Sequence, residues 1–481
     1  MRLLLYLIVV RVLMGCTGDN NPAESPPPVN TERGKANVWL TMGDQSMLLS
    51  KRSPVSITGI KSTSLPVITI DSTQVMQEIE GFGAALTGSS AYLMNKKLGV
   101  TERNALLNDL FDPESGIGIS YVRMSIGASD FSPFAFTYND LPYGETDFSL
   151  DHFSIATDEE DVIPVFKEIL KIAPDINIMG SPWSAPAWMK TNSNLKGGNL
   201  KAEAYDVYAR YLVKFLKAYS QHSIPIDAIT LQNEPLYKGA PYPCMEMTAE
   251  EQLNFIKYHV GPLFEAEGIE TKIIIYDHNW DNTDYAISIL DDVDARKYVA
   301  GSAFHAYGGE VGAMSVVHNA HPDKGLYFTE IGGGEWSPGF SIDMQWNMNQ
   351  IFIGTTKNWS KNALLWNLAL DQDSGPNNSG DDITRGVVTI DNISGAVTKN
   401  PEYYAIGHMA KFVRPGAFRI GSSASTYIAQ LNFVAFMNTD GSKVIVFTNS
   451  GTETKSVTIK QGKNQFNYAI PADATVTVVW N

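Results

Sequence analysis

The chain has 481 residues, of which 44% are hydrophobic and 11% aromatic, so it can bury a large core and is long enough for more than one domain. Its formal net charge of −16 excludes the basic surface that nucleic acids and anionic membranes require of a protein partner. A neutral, hydroxyl-rich substrate is compatible with this charge.

Residues 1–16 are typical of a bacterial lipoprotein signal peptide. Arg2 precedes an apolar run that is too short to span a bilayer, and Gly15 lies directly before Cys16. The pattern predicts a lipobox with lipid attachment at Cys16, and hence a location in the bacterial cell envelope, at the outer membrane or cell surface. The alternative is a plain secretory signal with an incidental cysteine. Residues 17–36 are polar and proline-rich, and we interpret them as a tether that holds the folded protein off the membrane.

Between residues 77 and 415, strand-like and helix-like segments alternate, which is the signature of a parallel α/β fold. Amphipathic helices occur between the strands, the clearest beginning at Tyr205. Eight strands in roughly 330 residues predict a (β/α)8 TIM barrel with insertions rather than an open doubly wound sheet. The sequence has no glycine-rich phosphate loop followed by a helix, so we expect no nucleotide cofactor. The predicted barrel strands are 81–87, 119–125, 176–180, 226–232, 273–277, 299–305, 326–330 and 364–368.

The barrel is flanked by segments that read as strands only, at 37–76 and 416–481. A turn at 438–441, Asn-Thr-Asp-Gly, predicts a hairpin in the second segment. We expect the N-terminal strands to complete a β-sandwich formed by the C-terminal strands. We interpret this side domain as a scaffold, with glycan binding as the alternative.

Two glutamates follow predicted barrel strands. The run at 226–232 ends in Asn233-Glu234-Pro235, and the run at 326–330 ends in Glu330. Because the carboxyl ends of TIM-barrel strands form the catalytic face, both side chains are expected at one site. Glycoside hydrolysis needs such a pair, one group to protonate the leaving oxygen and one to act on the other face of the sugar. The alternative is two solvated loop glutamates.

Several motifs, in chain order, resemble glycoside hydrolase family 30, which contains glucosylceramidases, endo-β-1,6-glucanases and related β-glycosidases. The resemblance implies a (β/α)8 barrel that works with retention of anomeric configuration. It also implies that Glu234 is the acid/base and Glu330 the nucleophile. The motifs are GFG at 81–83, SPWSAPAWMKTN at 181–192, NEP at 233–235, FTE at 328–330, WNLAL at 366–370 and YAIGH at 404–408.

The resemblance assigns further residues to substrate binding. Asn233 would hydrogen-bond the sugar 2-hydroxyl, or else cap the next element. Arg123 would hold the nucleophile ionised, or else form a structural ion pair with another barrel carboxylate. Trp183 matches a subsite tryptophan, and Asn377 a ligand-contacting asparagine for which a turn role is the alternative. Further side chains are expected to line the cleft, although aromatics are also common in cores: Trp188, His305, Tyr307 and Trp366.

We also expect the pKa of Glu234 to be raised by burial and by the charge of Glu330, while hydrogen bonds keep Glu330 ionised. The eight histidines are scattered without metal-ligand spacing, so we expect no metal.

Gly88 marks a departure from the family pattern. The glucosylceramidase branch has an aspartate there that binds sugar hydroxyls, and glycine cannot replace that acceptor but leaves space for a continuing chain. Together with the lipoprotein signal, this favours an endo-β-1,6-glucanase acting on a β-glucan. The alternatives are a glucosylceramidase or another exo-β-glycosidase, a xylanase, and a surface glycan-binding lipoprotein without activity.

Overall fold

A computed structural model of the protein describes residues 32–337 and 339–481. The predicted signal peptide, the lipid attachment at Cys16 and most of the predicted tether lie outside these residues. No helix within the described ranges is both long enough and apolar enough to cross a membrane.

The strands, in chain order, are β1 (Glu32–Met42), β2 (Ser50–Gly59), β3 (Val67–Glu78), β4 (Gly81–Ala85), β5 (Tyr121–Ile126), β6 (Asn177–Pro182), β7 (Ala228–Thr230), β8 (Lys272–Asn279), β9 (Val299–His305), β10 (Gly325–Glu330), β11 (Gly333–Gly334), β12 (Asn362–Asn367), β13 (Ala369–Leu370), β14 (Thr384–Arg385), β15 (Val388–Ile390), β16 (Val397–Lys399), β17 (Phe418–Ala424), β18 (Leu431–Met437), β19 (Lys443–Asn449), β20 (Lys455–Gln461), β21 (Asn464–Ile470) and β22 (Ala474–Trp480).

The α-helices are α1 (Gly88–Tyr92), α2 (Val100–Phe111), α3 (Ala156–Glu160), α4 (Val162–Ile172), α5 (Tyr205–Gln221), α6 (Ala249–Phe255), α7 (Gly261–Glu267), α8 (Thr283–Asp291), α9 (Val293–Arg296), α10 (Ala313–Ala320), α11 (Phe340–Trp346) and α12 (Pro401–Ala410). Turns of π-helix span Leu93–Lys97, Ile256–Val260 and Asn347–Thr355, and 3-10 turns span Ala187–Met189 and Ala202–Ala204.

The TIM barrel is confirmed. Its parallel strands follow the order β4, β5, β6, β7, β8, β9, β10, β12. The ring closes between β10 and β12, where the Lys361 amide donates to the Leu326 carbonyl and the Trp366 amide to the Ile331 carbonyl, both at 2.8 Å. All eight strands lie at predicted positions because their apolar runs are covered on both faces, by side chains inside the ring and by helices outside it.

The barrel interior is a packed layer to which seven strands each contribute one buried side chain. Outside the ring, α5 turns Tyr208, Leu212, Phe215 and Tyr219 towards the core, as its helical spacing predicts. The layer inside the barrel consists of Tyr121, Met179, Ala228, Ile274, Ala303, Tyr327 and Leu364.

The side domain also forms as expected from N- and C-terminal strands. Its nine strands are hydrogen-bonded round a ring in the order β1, β2, β21, β20, β3, β17, β18, β19, β22. Strand β1 lies between β2 and β22, and β3 lies between β20 and β17, so the first part of the chain is built into the last. The turn at 438–441 does join a hairpin, with Gly441 at φ 82°.

The expected end of the tether at residue 36 is wrong. Strand β1 starts at Glu32, and Lys35 and Ala36 pair with Ser56 and Val55 of β2. Backbone pairing does not require an apolar side chain on the exposed face of a sheet, so the polar composition of this segment concealed a strand.

Candidate active site

Glu234 lies just beyond the short strand β7 and is held by both neighbouring strands. The amide of Asn233 donates to the Pro182 carbonyl at 2.8 Å, and the amide of Glu234 donates to the Asp277 carbonyl at 3.0 Å. Glu234 has φ 46°, a left-handed conformation that is uncommon for a residue with a side chain. Such conformations persist where the surroundings impose them, and they cluster at functional sites. Here the backbone turn places the carboxyl group at the barrel mouth.

Glu330 is the last residue of β10 and pairs with His305 of β9, just after a register shift between Phe328 and Glu330. Its carboxylate is buried and accepts two hydrogen bonds from the protein. Nη1 of Arg123 donates to Oε2 at 2.5 Å, and the Tyr307 hydroxyl donates to Oε1 at 3.0 Å. Both donors stabilise the ionised form of a carboxylate.

The two glutamates lie close enough for a retaining mechanism. A carboxylate oxygen of Glu234, a ring nitrogen of His305 and a carboxylate oxygen of Glu330 all lie within 4.8 Å of one another. Carboxyl groups of retaining glycosidases are about 5 to 5.5 Å apart, whereas inverting enzymes leave about 6.5 to 9.5 Å for a water molecule.

The same three side chains could be arranged as metal ligands. However, Nη1 of Arg123 already donates to Glu330, and a protonated His305 has no lone pair to offer a cation. We therefore interpret the cluster as an acid–base site.

Arg123 is fully buried at the centre of the site, and its guanidinium joins four strands. Besides Glu330, it donates from Nη2 to Asn233 Oδ1 and to Asp277 Oδ2, both at 2.8 Å, and from Nε to Ser181 Oγ at 3.1 Å. It thus lies beside the predicted nucleophile and also forms the ion pair with another barrel carboxylate that was its alternative role. Its contact with Asn233 fixes the orientation of that amide.

His305 is not a substrate contact, contrary to expectation, because its side chain is fully buried. Its Nδ1 lies 3.1 Å from Glu234 Oε1, and its Nε2 lies 3.1 Å from Asp277 Oδ1. Burial alone would lower its pKa, but the charge of Glu330 and the hydrogen bonds to Asp277 and Glu234 raise the pKa to about 9. The ring is therefore a cation at neutral pH and lies against the predicted acid/base.

This cation reverses the expected pKa shifts of the two glutamates. Burial raises the pKa of Glu234, but the hydrogen bond and charge of His305 outweigh it and leave that pKa below the ordinary 4.5. Burial and the charge of Glu234 outweigh His305 and Arg123 at Glu330, whose pKa is raised. The expectation failed because the sequence does not show that a buried histidine contacts Glu234.

The cleft at the barrel mouth has a volume of about 630 Å³ and aromatic walls. Trp366 and Tyr307 line this cleft. Trp183 is buried and stacks on Trp366 with ring centroids 5.1 Å apart, and both indole rings lie over the Arg123 guanidinium.

Two candidates have structural roles instead. Trp188 is buried, and its indole nitrogen donates to Asn139 Oδ1 at 2.7 Å. Asn377 organises its own turn: its amide nitrogen donates to the Ser374 and Asp381 carbonyls, and its Oδ1 accepts from the Gly380 amide at 2.8 Å. The turn role left open for Asn377 accounts for all of these bonds.

Asp130 is a cleft residue that the sequence interpretation missed. Its Oδ1 is buried without a hydrogen-bond partner among the described residues. Burial and the charges of Glu330 and Glu234 raise its pKa well above the ordinary 3.8. A buried polar atom without a partner in a cleft is a candidate to bind a ligand hydroxyl. Its position just after β5, at the carboxyl end of a barrel strand, was the available signal.

Gly88 does not provide the space that we expected. A Cβ atom added there would lie 3.0 Å from Ser132 Oγ, so this position faces a neighbouring side chain. The glycine therefore gives no argument for a chain running past it, and Asp130 supplies a carboxylate to the cleft instead.

Comparisons with known proteins agree with this geometry. Residues 79–413 match the glycosyl hydrolase family 30 TIM-barrel domain, and residues 416–478 match the family 30 beta sandwich domain. An endo-1,6-beta-D-glucanase of Neurospora crassa is 35% identical over 431 residues, which cover 86% of this chain and 88% of that protein.

Two further similar proteins have different named activities. The lysosomal acid glucosylceramidase of Mus musculus is 30% identical over 446 residues, which cover 86% of this chain and 83% of that protein. The solved structure of an endo-beta1,6-glucanase superposes with a TM-score of 0.86 at 32% identity and covers 93% of this chain and 99% of its own. The strand-end glutamates, the barrel with its side domain and these matches lead to one conclusion: the chain belongs to glycosyl hydrolase family 30 and is a glycoside hydrolase.

Proposed function

We propose that the protein is a retaining endo-β-1,6-glucanase. The observation that carries the proposal is the placement of Glu234 and Glu330, with carboxylate oxygens within 4.8 Å of each other at the barrel mouth. Glu330 attacks the anomeric carbon while Glu234 protonates the departing glycosidic oxygen, giving a glycosyl ester on Glu330. Glu234 then removes a proton from water, whose oxygen attacks the same carbon and releases the sugar and the Glu330 carboxylate.

The choice of β-1,6-glucan as substrate is supported by the similar proteins. Both the Neurospora relative and the solved structure are endo-1,6-β-glucanases, and the chain covers most of each. Asp130 favours the second candidate, a glucosylceramidase, because its Oδ1, which has no partner among the described residues, can bind a hydroxyl of a terminal sugar.

The chemistry is tested with two isosteric variants. Glu330→Gln should lower kcat/KM by a factor on the order of 10⁴ or more on every substrate, because no nucleophile remains, while glucan binding is retained. In Glu234→Gln, kcat/KM should fall steeply for glucan. It should fall far less for a dinitrophenyl β-glucoside, whose leaving group needs no proton. Glu267→Gln, which changes an exposed ion pair with Lys217, is the matched control and should retain full activity.

The substrate is tested by analysing the products released from β-1,6-glucan and from glucosylceramide. Internal cleavage of the glucan into oligosaccharides is the expected result. Glucose release from glucosylceramide with the glucan left intact would favour the second candidate. Equal turnover by Glu330→Gln and the unmodified protein would contradict the assignment of the nucleophile. Glucan binding without release of any sugar by the unmodified protein would favour a binding protein.

A further inference from the structure

We propose that Trp336 is a binding platform for the sugar on the leaving-group side of the scissile bond, and that Gly334 and Arg385 position it. The inference rests on the proposed function, since it assumes that the cleft holds a glycan. It adds a residue that sets which leaving groups the enzyme prefers.

The cleft has one closed side. The walls supplied by β12 and by the loop after β5 are almost inaccessible to solvent, with Trp366 4% exposed and Phe131 2% exposed. Asp130, whose Oδ1 has no hydrogen-bond partner in the described part of the chain, lies on this side. A sugar ring placed here has buried walls on one side, so the neighbouring sugars of a chain lie towards the open part of the cleft.

Another part of the cleft is open and lined with exposed aromatics. Tyr237 is 44% exposed, Tyr307 48% and Trp336 55%, and they follow β7, β9 and β10 respectively. Glu234, which must reach the glycosidic oxygen, follows β7 on this side. We place the departing sugar against these rings, of which Trp336, the one indole among the three, is the most exposed.

An exposed tryptophan at a cleft suits a sugar. The faces of a β-glucosyl ring carry axial C–H groups, and the indole offers a large, rigid apolar face at low entropic cost. Trp336 is also not a single exposed ring, since Tyr237 and Tyr307 are exposed in the same cleft.

The platform is positioned by a glycine. The six-membered ring of Trp336 lies directly on Gly334, where a Cβ atom would overlap the ring. Gly334 belongs to β11, which pairs with β14 through Thr384. Only glycine allows this approach of ring to backbone.

Arg385 fixes the short ribbon of β11 and β14. Its Nη1 donates to the Gly334 carbonyl at 3.2 Å, while Nη2 donates to Glu402 Oε1 at 2.7 Å and to Asp343 Oδ2 at 2.5 Å. The ribbon is thereby tied to α11 and α12. A platform that is already rigid binds a sugar with less loss of conformational entropy.

The platform loop also contacts the nucleophile through one hydroxyl group. The Gly332 amide donates to the Tyr307 hydroxyl at 3.1 Å, and that hydroxyl donates to Glu330. The Tyr307 hydroxyl thus links the loop to the reacting carboxylate through two hydrogen bonds.

The test measures sugar binding on the leaving-group side separately from binding of the enclosed sugar. A dinitrophenyl 2-deoxy-2-fluoro-β-glucoside traps the glycosyl ester on Glu330, and added gentiobiose then binds on the leaving-group side and releases it. Trp336→Ala should lower the second-order rate of release by gentiobiose about tenfold, with release by water unchanged; tenfold corresponds to about 1.4 kcal/mol. Gly334→Ala should have the same effect by displacing the ring, and Trp336→Phe should retain most of the rate.

Tyr427→Ala, which removes a ring that is 91% exposed in the side domain, is the matched control and should behave as the unmodified protein. Equal gentiobiose rates for Trp336→Ala and the unmodified protein would overturn the platform, as would an equal loss of the rates with gentiobiose and with water. Failure of the unmodified protein to be trapped would instead overturn the proposed function, and the platform with it. Trapping without cleavage of β-1,6-glucan would contradict only the proposed linkage.

Discussion

Among single residues, Glu234 and His305 act as a pair. His305 is held by Asp277 on one ring nitrogen and directs the other towards Glu234. In the first step a proton can pass from His305 to Glu234 across this contact as the leaving oxygen approaches. In the second step Glu234 must be a base: it takes a proton from the attacking water and can return it to His305, which restores the cation whose hydrogen bond and charge lower the pKa of Glu234. Esterification of Glu330 removes the charge that most raises the pKa of His305, so the pair changes its acidity between the two steps.

The raised pKa of His305 predicts a loss of stability at high pH. The pKa of His305 is about 9 in the folded protein and 6.5 in the unfolded chain. Protonated His305 therefore stabilises the folded state fully below pH 6.5, and this stabilisation is lost as pH rises towards 9. The free energy of unfolding should fall across this window by about 3 kcal/mol more in the unmodified protein than in His305→Gln. Urea unfolding at several pH values measures the free energy of unfolding of both proteins. Parallel pH profiles would show that His305 does not carry the proton.

At the scale of elements, the sequence predicted the long strands and helices but not the short pairings. Strands such as β5 and β12 are buried along their whole length, so their apolar runs identify them. The ribbon of β11 and β14 has two residues on each side and no periodicity, and it exists because residues fifty positions apart are brought together by the barrel. For the same reason, the contacts of His305 were not predictable, whereas both strand-end glutamates were, and the signal for Asp130 was its position after β5.

The ribbon predicts a measurable energetic role for Arg385. Glu402 and Asp343 have side chains only 4% and 11% exposed, and Arg385 contacts both. Arg385→Met should destabilise the protein by about 3 to 5 kcal/mol, because removing one partner of a buried ion pair leaves uncompensated charge. Lys217→Met, which breaks an ion pair with side chains 57% and 41% exposed, is the control and should cost about 1 kcal/mol or less. Equal losses in chemical denaturation would contradict the buried role.

At the scale of the whole molecule, the two domains are joined by buried polar contacts as well as by the chain. His408 of α12 is fully buried, with Nε2 2.8 Å from Thr41 Oγ1 of β1 and Nδ1 2.8 Å from Thr477 Oγ1 of β22. The Thr477 hydroxyl donates to the His408 carbonyl, so it accepts from Nδ1–H, and Nε2 is left to accept from Thr41. The sequence indicated a side domain built from both ends of the chain. That a helix residue hydrogen-bonds to strands from both ends is visible only in the folded molecule.

This interface should make the whole protein sensitive to acid. Burial lowers the pKa of His408 from 6.5 to about 3, so the stabilisation is present above pH 6.5 and is lost as pH falls towards 3. Between pH 7 and pH 4 the free energy of unfolding should fall by about 3 kcal/mol more in the unmodified protein than in His408→Gln, which does not titrate but keeps a donor and an acceptor. Urea unfolding followed by tryptophan fluorescence measures both proteins. The same decline in both would contradict the assignment.

Because His408 connects β1, β22 and α12, its protonation should loosen the side domain and the barrel in a single transition, whereas separate transitions in acid would show that the domains unfold independently.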